Sequence, residues 1–279
     1  MNISELSREA AREALRLRAR AKIALDQSFC VIDLAASLGI EVMFVNLTSF
    51  EGAYIKSSQK VLLSAHRPDG RTRFTCGHEL GHHAFNHGDH FDELVEKVGT
   101  EDARNGELIC DLFSAFLIMP SSLVKHGFHI RKIIPPSLTP LDILRVSSWL
   151  GVGYETLVKH LHLGIRIISK DVHDSLLKAK LTKTKEELLG TKTPNDVFYI
   201  DEFWKGRPVD MSIGDYIVSK DNIKCDCNNL QVTKHKDHFV AKALKTGIIH
   251  FQSNGTGYLG RIKRSEYTGR ALFRHLDED

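Results

Sequence analysis

Two short segments constrain the fold more than anything else in the chain: His78-Glu79-Leu80-Gly81-His82 and Glu107-Leu108-Ile109-Cys110-Asp111. On a helix, residues four apart share a face, so His78 and His82 project side by side, as do Glu107 and Asp111. The second helix is otherwise apolar at Leu108, Leu112, Ala115, Phe116 and Met119. Such a buried helix seldom bears carboxylates on adjacent turns without cationic partners. The two helices are therefore expected to pack face to face with a cation between them.

The H-E-x-x-H spacing suits zinc, with both imidazoles on one ion and Glu79 within reach of a water bound to it. Glu107 is expected as the third ligand, which leaves a fourth position open. Asp111 is then placed to accept a hydrogen bond from a ligand histidine and fix its tautomer. A third-histidine variant would need glycine and histidine where Phe85 and Gly88 stand, so it is excluded. His83, His87 and His90 read as surface residues or neighbours of a substrate cleft.

Around this pair, the pattern predicts an amphipathic helix over 4–25 and a second helix from Ile32 to a stop at Gly39. Strands follow in IEVMFVNL and GAYIKSSQKVLLSA, the latter a hairpin turning at Ser57–Lys60. Helices are expected over roughly 74–87 and 102–118, the second ended by Pro120. Thr139-Pro140 is an N-cap followed by a first-turn proline. It opens LDILRVSSWL, which a GVG break separates from YETLVKHLHL, a helix-turn-helix spacing. Beyond about residue 165 come a lysine-rich stretch and short strand-like runs: VFYI, DYIVSK, LQVTKH, HFVAKAL, GIIHF and GYLGRI.

At 279 residues, with 42% hydrophobic and 26% charged residues, the chain suits two or three soluble domains. No stretch reads as a membrane span or export signal, so the expectation is a cytoplasmic protein without a membrane partner. The five cysteines are odd in number and scattered, unlike a disulfide framework, and Cys225-Asp226-Cys227 lacks zinc-ribbon spacing. A net charge of +3 is too small to argue for nucleic acid by itself. Locally, GRIKRSEYTGR gathers Arg261, Lys263, Arg264 and Arg270 around an aromatic residue, a candidate nucleic-acid contact.

Arg73-Phe74-Thr75-Cys76-Gly77-His78-Glu79-Leu80-Gly81-His82, followed by Glu107 through Ala115 to Met119-Pro120, resembles the ImmA/IrrE metallopeptidases. The lead-in DLAASLGIEV and the glycine of EGAYIK are similar too, and the resemblance covers roughly residues 25–165. Two positions depart from the family pattern: Cys110 replaces alanine and Asp111 replaces asparagine. The resemblance implies zinc on His78, His82 and Glu107, with Glu79 as general base in amide hydrolysis. It implies a helix-turn-helix repressor as the substrate, cleaved under stress or DNA damage to release stress, mobile-element or antiphage defence genes. It also implies an α+β chain. A zincin-like domain over 1–125 would hold a small antiparallel sheet and the H-E-x-x-H helix. A helix-turn-helix-like segment would cover 126–165, and a strand-rich C-terminal sensor 166–279, with single-stranded DNA as a candidate ligand.

Cys110, with Cys76 as its rival, is a candidate for a thiolate that occupies the open zinc position and holds the enzyme off. Tyr54, His87 and His90 are loose candidates for stabilising an oxyanion. The competing function is a DNA-binding regulator using the 139–163 helix pair, with the metal site structural. That helix pair is poor in the arginine and asparagine that read bases.

Overall fold

A computed structural model describes residues 2–88, 90–93, 101–205 and 207–276. Helix α1 (Ile3–Arg20) opens at Asn2, whose side chain caps the Ser4 and Glu5 amides while Glu5 reaches back to the Asn2 amide. It stops short of residue 25 because Lys22 adopts a left-handed backbone, φ 56°. After α2 (Val31–Ser37), Gly39 turns the chain into β1 (Glu41–Val45). Strands β2 (Phe50–Ile55) and β3 (Lys60–Ser64) form the expected hairpin. Then come α3 (Asp69–Ala84), β4 (His90–Glu93) and α4 (Glu101–Ile118).

Helices α5 (Ser121–Ile130), α6 (Pro140–Leu150) and α7 (Tyr154–Lys159) follow. Thr139 and Asp142 close the expected capping box on α6, and Gly151 ends it in the left-handed conformation. The lysine-rich stretch is helical. It forms α8 (Lys170–Lys178) and α9 (Leu181–Leu189), which bury Leu176, Leu188 and Leu189 and leave most lysines to solvent. The strands after them are β5 (Val197–Tyr199), β6 (Val209–Ser212), β7 (Tyr216–Ser219) and β8 (Ile223–Lys224). Next are β9 (Leu230–His235), β10 (His238–Ala243), β11 (Gly247–Ser253), β12 (Thr256–Lys263) and β13 (Gly269–Arg270).

The architecture is α+β, with three sheets. The first runs β13-β1-β3-β2-β4; the others run β5-β7-β10-β9 and β6-β12-β11-β8. The first sheet is mixed rather than antiparallel as expected. The β2–β3 hairpin occupies one edge of β3, and β1 takes the other edge in parallel, with Val42 and Phe44 turned inward. Its outer edge is then completed from far along the chain, by β13 lying antiparallel to β1.

Two large cores form. One joins α1, α2, β1, β3, α3 and α4 through Ala10, Ala14, Phe44, Leu63, Leu80 and Phe113, and includes Ala271. The other packs α5, α6 and α7 directly on the C-terminal strands, with Phe128, Trp149 and Leu157 against Trp204, Met211 and Phe251. Among the described residues one helical stretch, Arg104–Ile130, is long and apolar enough to cross a membrane, and 67% of its apolar window is buried in the fold. Cys225 and Cys227 are joined in a disulfide, contrary to expectation for these residues. Two residues apart, it ties one local loop and staples no distant segments.

A charge cluster fixes α3 against the C-terminal strands. Lys263 Nζ lies 3.1 Å from Asp69 in the first turn of α3, and Arg73 Nη2 donates to the Asp210 carbonyl at 2.9 Å. Arg261 forks onto Asp210 and reaches Asp33 at 2.8 Å, and Arg274 also meets Asp33, at 3.3 Å. Burial pushes the Asp210 carboxyl up, but the bonds and charges of Arg261, with Arg73 and Arg274, outweigh it and hold the group well below the usual carboxylate range.

Candidate metal centre

Helix α3 carries its histidines on a buried face because it is pressed against α4 on one side and the β2 strand on the other. The fit with α4 depends on Gly81, where a Cβ would lie 3.0 Å from the Cys110 Cα and Cβ. The helices are also tied across by the Ser114 hydroxyl, which donates to the Phe74 carbonyl at 2.7 Å. This close approach sets Glu107 and Asp111 opposite His78 and His82.

Three ligand atoms converge. His78 Nε2 and His82 Nε2 are 3.1 Å apart, with His78 Nε2 3.4 Å and His82 Nε2 4.0 Å from the Glu107 carboxylate oxygens. Ligands about 2.0–2.1 Å from a tetrahedral zinc would be separated by roughly 3.3 Å, so small rotamer adjustments suffice to seat one. The side chains of His78 and His82 are buried, and that of Glu107 is 40% exposed. His78 Nδ1 bonds Asp111 Oδ1 at 2.8 Å. Burial lowers the His78 pKa, yet the bonds to Asp111 and Glu107 and the charge of Glu79 raise it to about 10. Carboxylates thus crowd two imidazoles, a donor set that fits a divalent cation.

Glu79 is fully buried on the neighbouring turn position. Strand β2 can pass beside it only because residue 52 is glycine, where a Cβ would fall 2.6 Å from Glu79 Oε1 and 2.5 Å from Thr75 Cγ2. The sequence signal was the glycine of EGAYIK, whose role is clearance for a carboxylate. An open groove of about 740 Å³ runs past His78 and Asp111. Its far wall is the α6–α7 turn, Gly151 to Glu155, with Lys159, Lys185 and Asp196.

Other expectations fall differently. His87, expected at the surface or beside a substrate cleft, is partly buried, and its Nδ1 lies 2.9 Å from His82 Nδ1. Tyr54 is buried, and its hydroxyl bonds His83 Nδ1 at 2.8 Å and accepts from Gln59 at 3.1 Å. The His90 side chain lies outside the described residues. Cys110 is buried one turn beyond Glu107, with its sulfur 3.7 Å from His87 Nδ1. Cys76 is fully buried, and that burial, with the Cys30 and Glu79 charges, pushes its thiol well above the ordinary range.

The basic stretch divides. The Arg261 and Lys263 side chains are only 14% and 11% exposed and face Asp33, Asp210 and Asp69. They belong to the interior cluster rather than to a phosphate-facing surface. Arg264 is exposed, and Arg270 is exposed but paired with Glu41 at 2.6 Å.

Residues 35–162 match the IrrE N-terminal-like domain, a metallopeptidase family, Peptidase_M78. No curated protein matches the chain. Among solved structures it is similar to a Mycobacterium tuberculosis transcriptional regulator at 15% identity and a TM-score of 0.38, covering 58% of this chain. The chain spans about half, 47%, of that structure's length.

Proposed function

We propose that this chain, which carries an IrrE N-terminal-like domain over residues 35–162, is a zinc-dependent endopeptidase acting on a helix-turn-helix repressor. The observation that carries the reading is the convergence of His78, His82 and Glu107 beside the buried carboxylate of Glu79. When bound there, zinc supplies Lewis acidity that polarises a carbonyl and lowers the pKa of a ligated water to around 7. Glu79 takes the proton from the attacking water and passes it to the leaving amide nitrogen. Asp111 keeps His78 in the tautomer that presents Nε2. The groove between α3 and the α6–α7 turn would take the polypeptide.

In the α6–α7 pair, Tyr154, Leu157 and Val158 are buried, and Glu155 and Lys159 are the exposed side chains of α7. That face offers little to read bases. We therefore read the helix pair as a substrate-docking wall. The C-terminal region is proposed to regulate the peptidase from the cytoplasm in response to stress or DNA damage. Its support is the charge cluster that couples β6 and β12 to the first turns of α3. Single-stranded DNA as its signal would have to engage basic residues other than Arg261 and Lys263.

Purified full chain should contain one zinc per chain by elemental analysis and cleave a helix-turn-helix repressor on co-expression. Glu79→Gln should keep the metal and lose cleavage. A metal-free chain, or an E79Q protein that cleaves like wild type, would sink the reading.

A further inference from the structure

A metal-ligating imidazole works only in the tautomer that leaves its ligand nitrogen unprotonated, and the other ring nitrogen then needs an acceptor for its proton. His78 and His82 both turn Nε2 toward Glu107. The Nδ1 of His78 has Asp111; the Nδ1 of His82 has His87, 2.9 Å away.

Backbone geometry puts His87 there. Helix α3 ends in crossed bonds: the Asn86 amide donates to the His83 carbonyl at 3.1 Å and the His87 amide to the His82 carbonyl at 2.9 Å. Asn86 adopts φ 58°, the left-handed conformation such a cap requires and asparagine tolerates. The chain thereby doubles back and lays residue 87 over the last turn. Phe85 stacks on the His87 ring with centroids 6.0 Å apart, and itself packs edge-on against Phe113 of α4. The ring is held by its own cap, by an aromatic neighbour and by the Cys110 sulfur beside Nδ1.

We infer that His87 is a positioning residue for the peptidase centre. Its Nδ1 accepts the Nδ1 proton of His82 and locks the tautomer whose Nε2 lone pair faces the ion. This rests on the zinc-peptidase reading above. The two ligand histidines are therefore supported unequally. Asp111 is a charged acceptor that makes His78 the stronger donor, whereas His87 is neutral and supplies orientation with less polarisation. The same atoms admit a rival arrangement: His82, His87 and Cys110 also lie within 4.8 Å of one another, and a second ion among them would displace the His82 Nδ1 proton.

The test uses the full chain in three forms: wild type, His87→Leu, which removes the acceptor, and His87→Asn, whose amide oxygen restores one. Zinc affinity is read by competition with a chromophoric chelator. Wild type should bind one zinc, H87L should bind about 10–100-fold more weakly, and H87N should recover most of the loss. In the metal-free wild type, nitrogen-15 spectra of the histidine side chains should show His82 protonated at Nδ1. H87L binding zinc as tightly as wild type overturns the inference, as does a His82 protonated at Nε2 or a stoichiometry of two ions. A wild-type chain that binds no zinc brings down the peptidase reading as well, which separates the two failures.

Discussion

Two groups of carboxylates in the chain meet opposite kinds of partner. At Asp33, Asp69 and Asp210 the fold supplies its own cations, Arg73, Arg261, Lys263 and Arg274. At Glu79, Glu107 and Asp111 it supplies imidazoles, one of them driven to a pKa of about 10. The first cluster is closed by its own cations; the second, on the zinc reading proposed above, is completed by a metal ion. Burial alone does not mark a functional carboxylate, and what marks it here is the kind of partner that faces it.

The sharpest way to break this contrast is to change one residue in each region. Glu79→Gln should cut the cleavage rate about 10²–10⁴-fold while leaving zinc content and the thermal midpoint close to wild type, checked by a repressor-cleavage assay and calorimetry. Asp210→Ala should do the reverse. It strips Arg261 of both bonds to Asp210 and leaves it Asp33 alone, and denaturant unfolding should show a loss of about 3 kcal/mol. If D210A proved neutral in stability, the cluster would not be the joint described here.

A smaller effect grades the metal shell itself. Asp111→Asn should weaken zinc binding about 10–100-fold, because a neutral amide polarises His78 less than a carboxylate does. The chelator competition that tests His87 measures this too, and an unchanged affinity would remove Asp111 from the site.

The smallest effect lies beside the Asp210 cluster, at Asp215 in the turn between β6 and β7, which accepts from the Asp196 and Ser212 amides. Burial, with Asp69 and Asp196 nearby, pushes the Asp215 carboxyl up to about 7. The folded chain therefore holds that proton more tightly than the unfolded chain, whose Asp titrates near about 4. The stabilising effect of this group is complete below about pH 4 and fades as pH rises toward about 7. Asp215→Asn should flatten the decline in thermal midpoint between those two values, and an identical slope would argue against it.

What was legible in the sequence was what is local. His78 with His82 and Glu107 with Asp111 are spaced by single helical turns, so periodicity alone places each pair on one face. The caps at Thr139 and Gly151 announce themselves in the same way. His87 was missed because its position depends on the left-handed turn at Asn86, a backbone event that histidine counting does not register. Arg261 and Lys263 were read as surface charges because their partners, Asp33 and Asp69, lie far away in sequence. The two helices after residue 169 were not assigned because lysine content masked a narrow apolar stripe.

The short strand β13 carries a consequence for biosynthesis. The sheet flanking α3 begins near residue 41, yet its outer edge closes only when residues 269–270 dock on β1. During translation that edge stays open, a bare row of amides and carbonyls, until residue 270 has left the ribosome. Synthesis that halts earlier yields a chain with every proposed zinc ligand present and a sheet margin exposed to pairing with other chains.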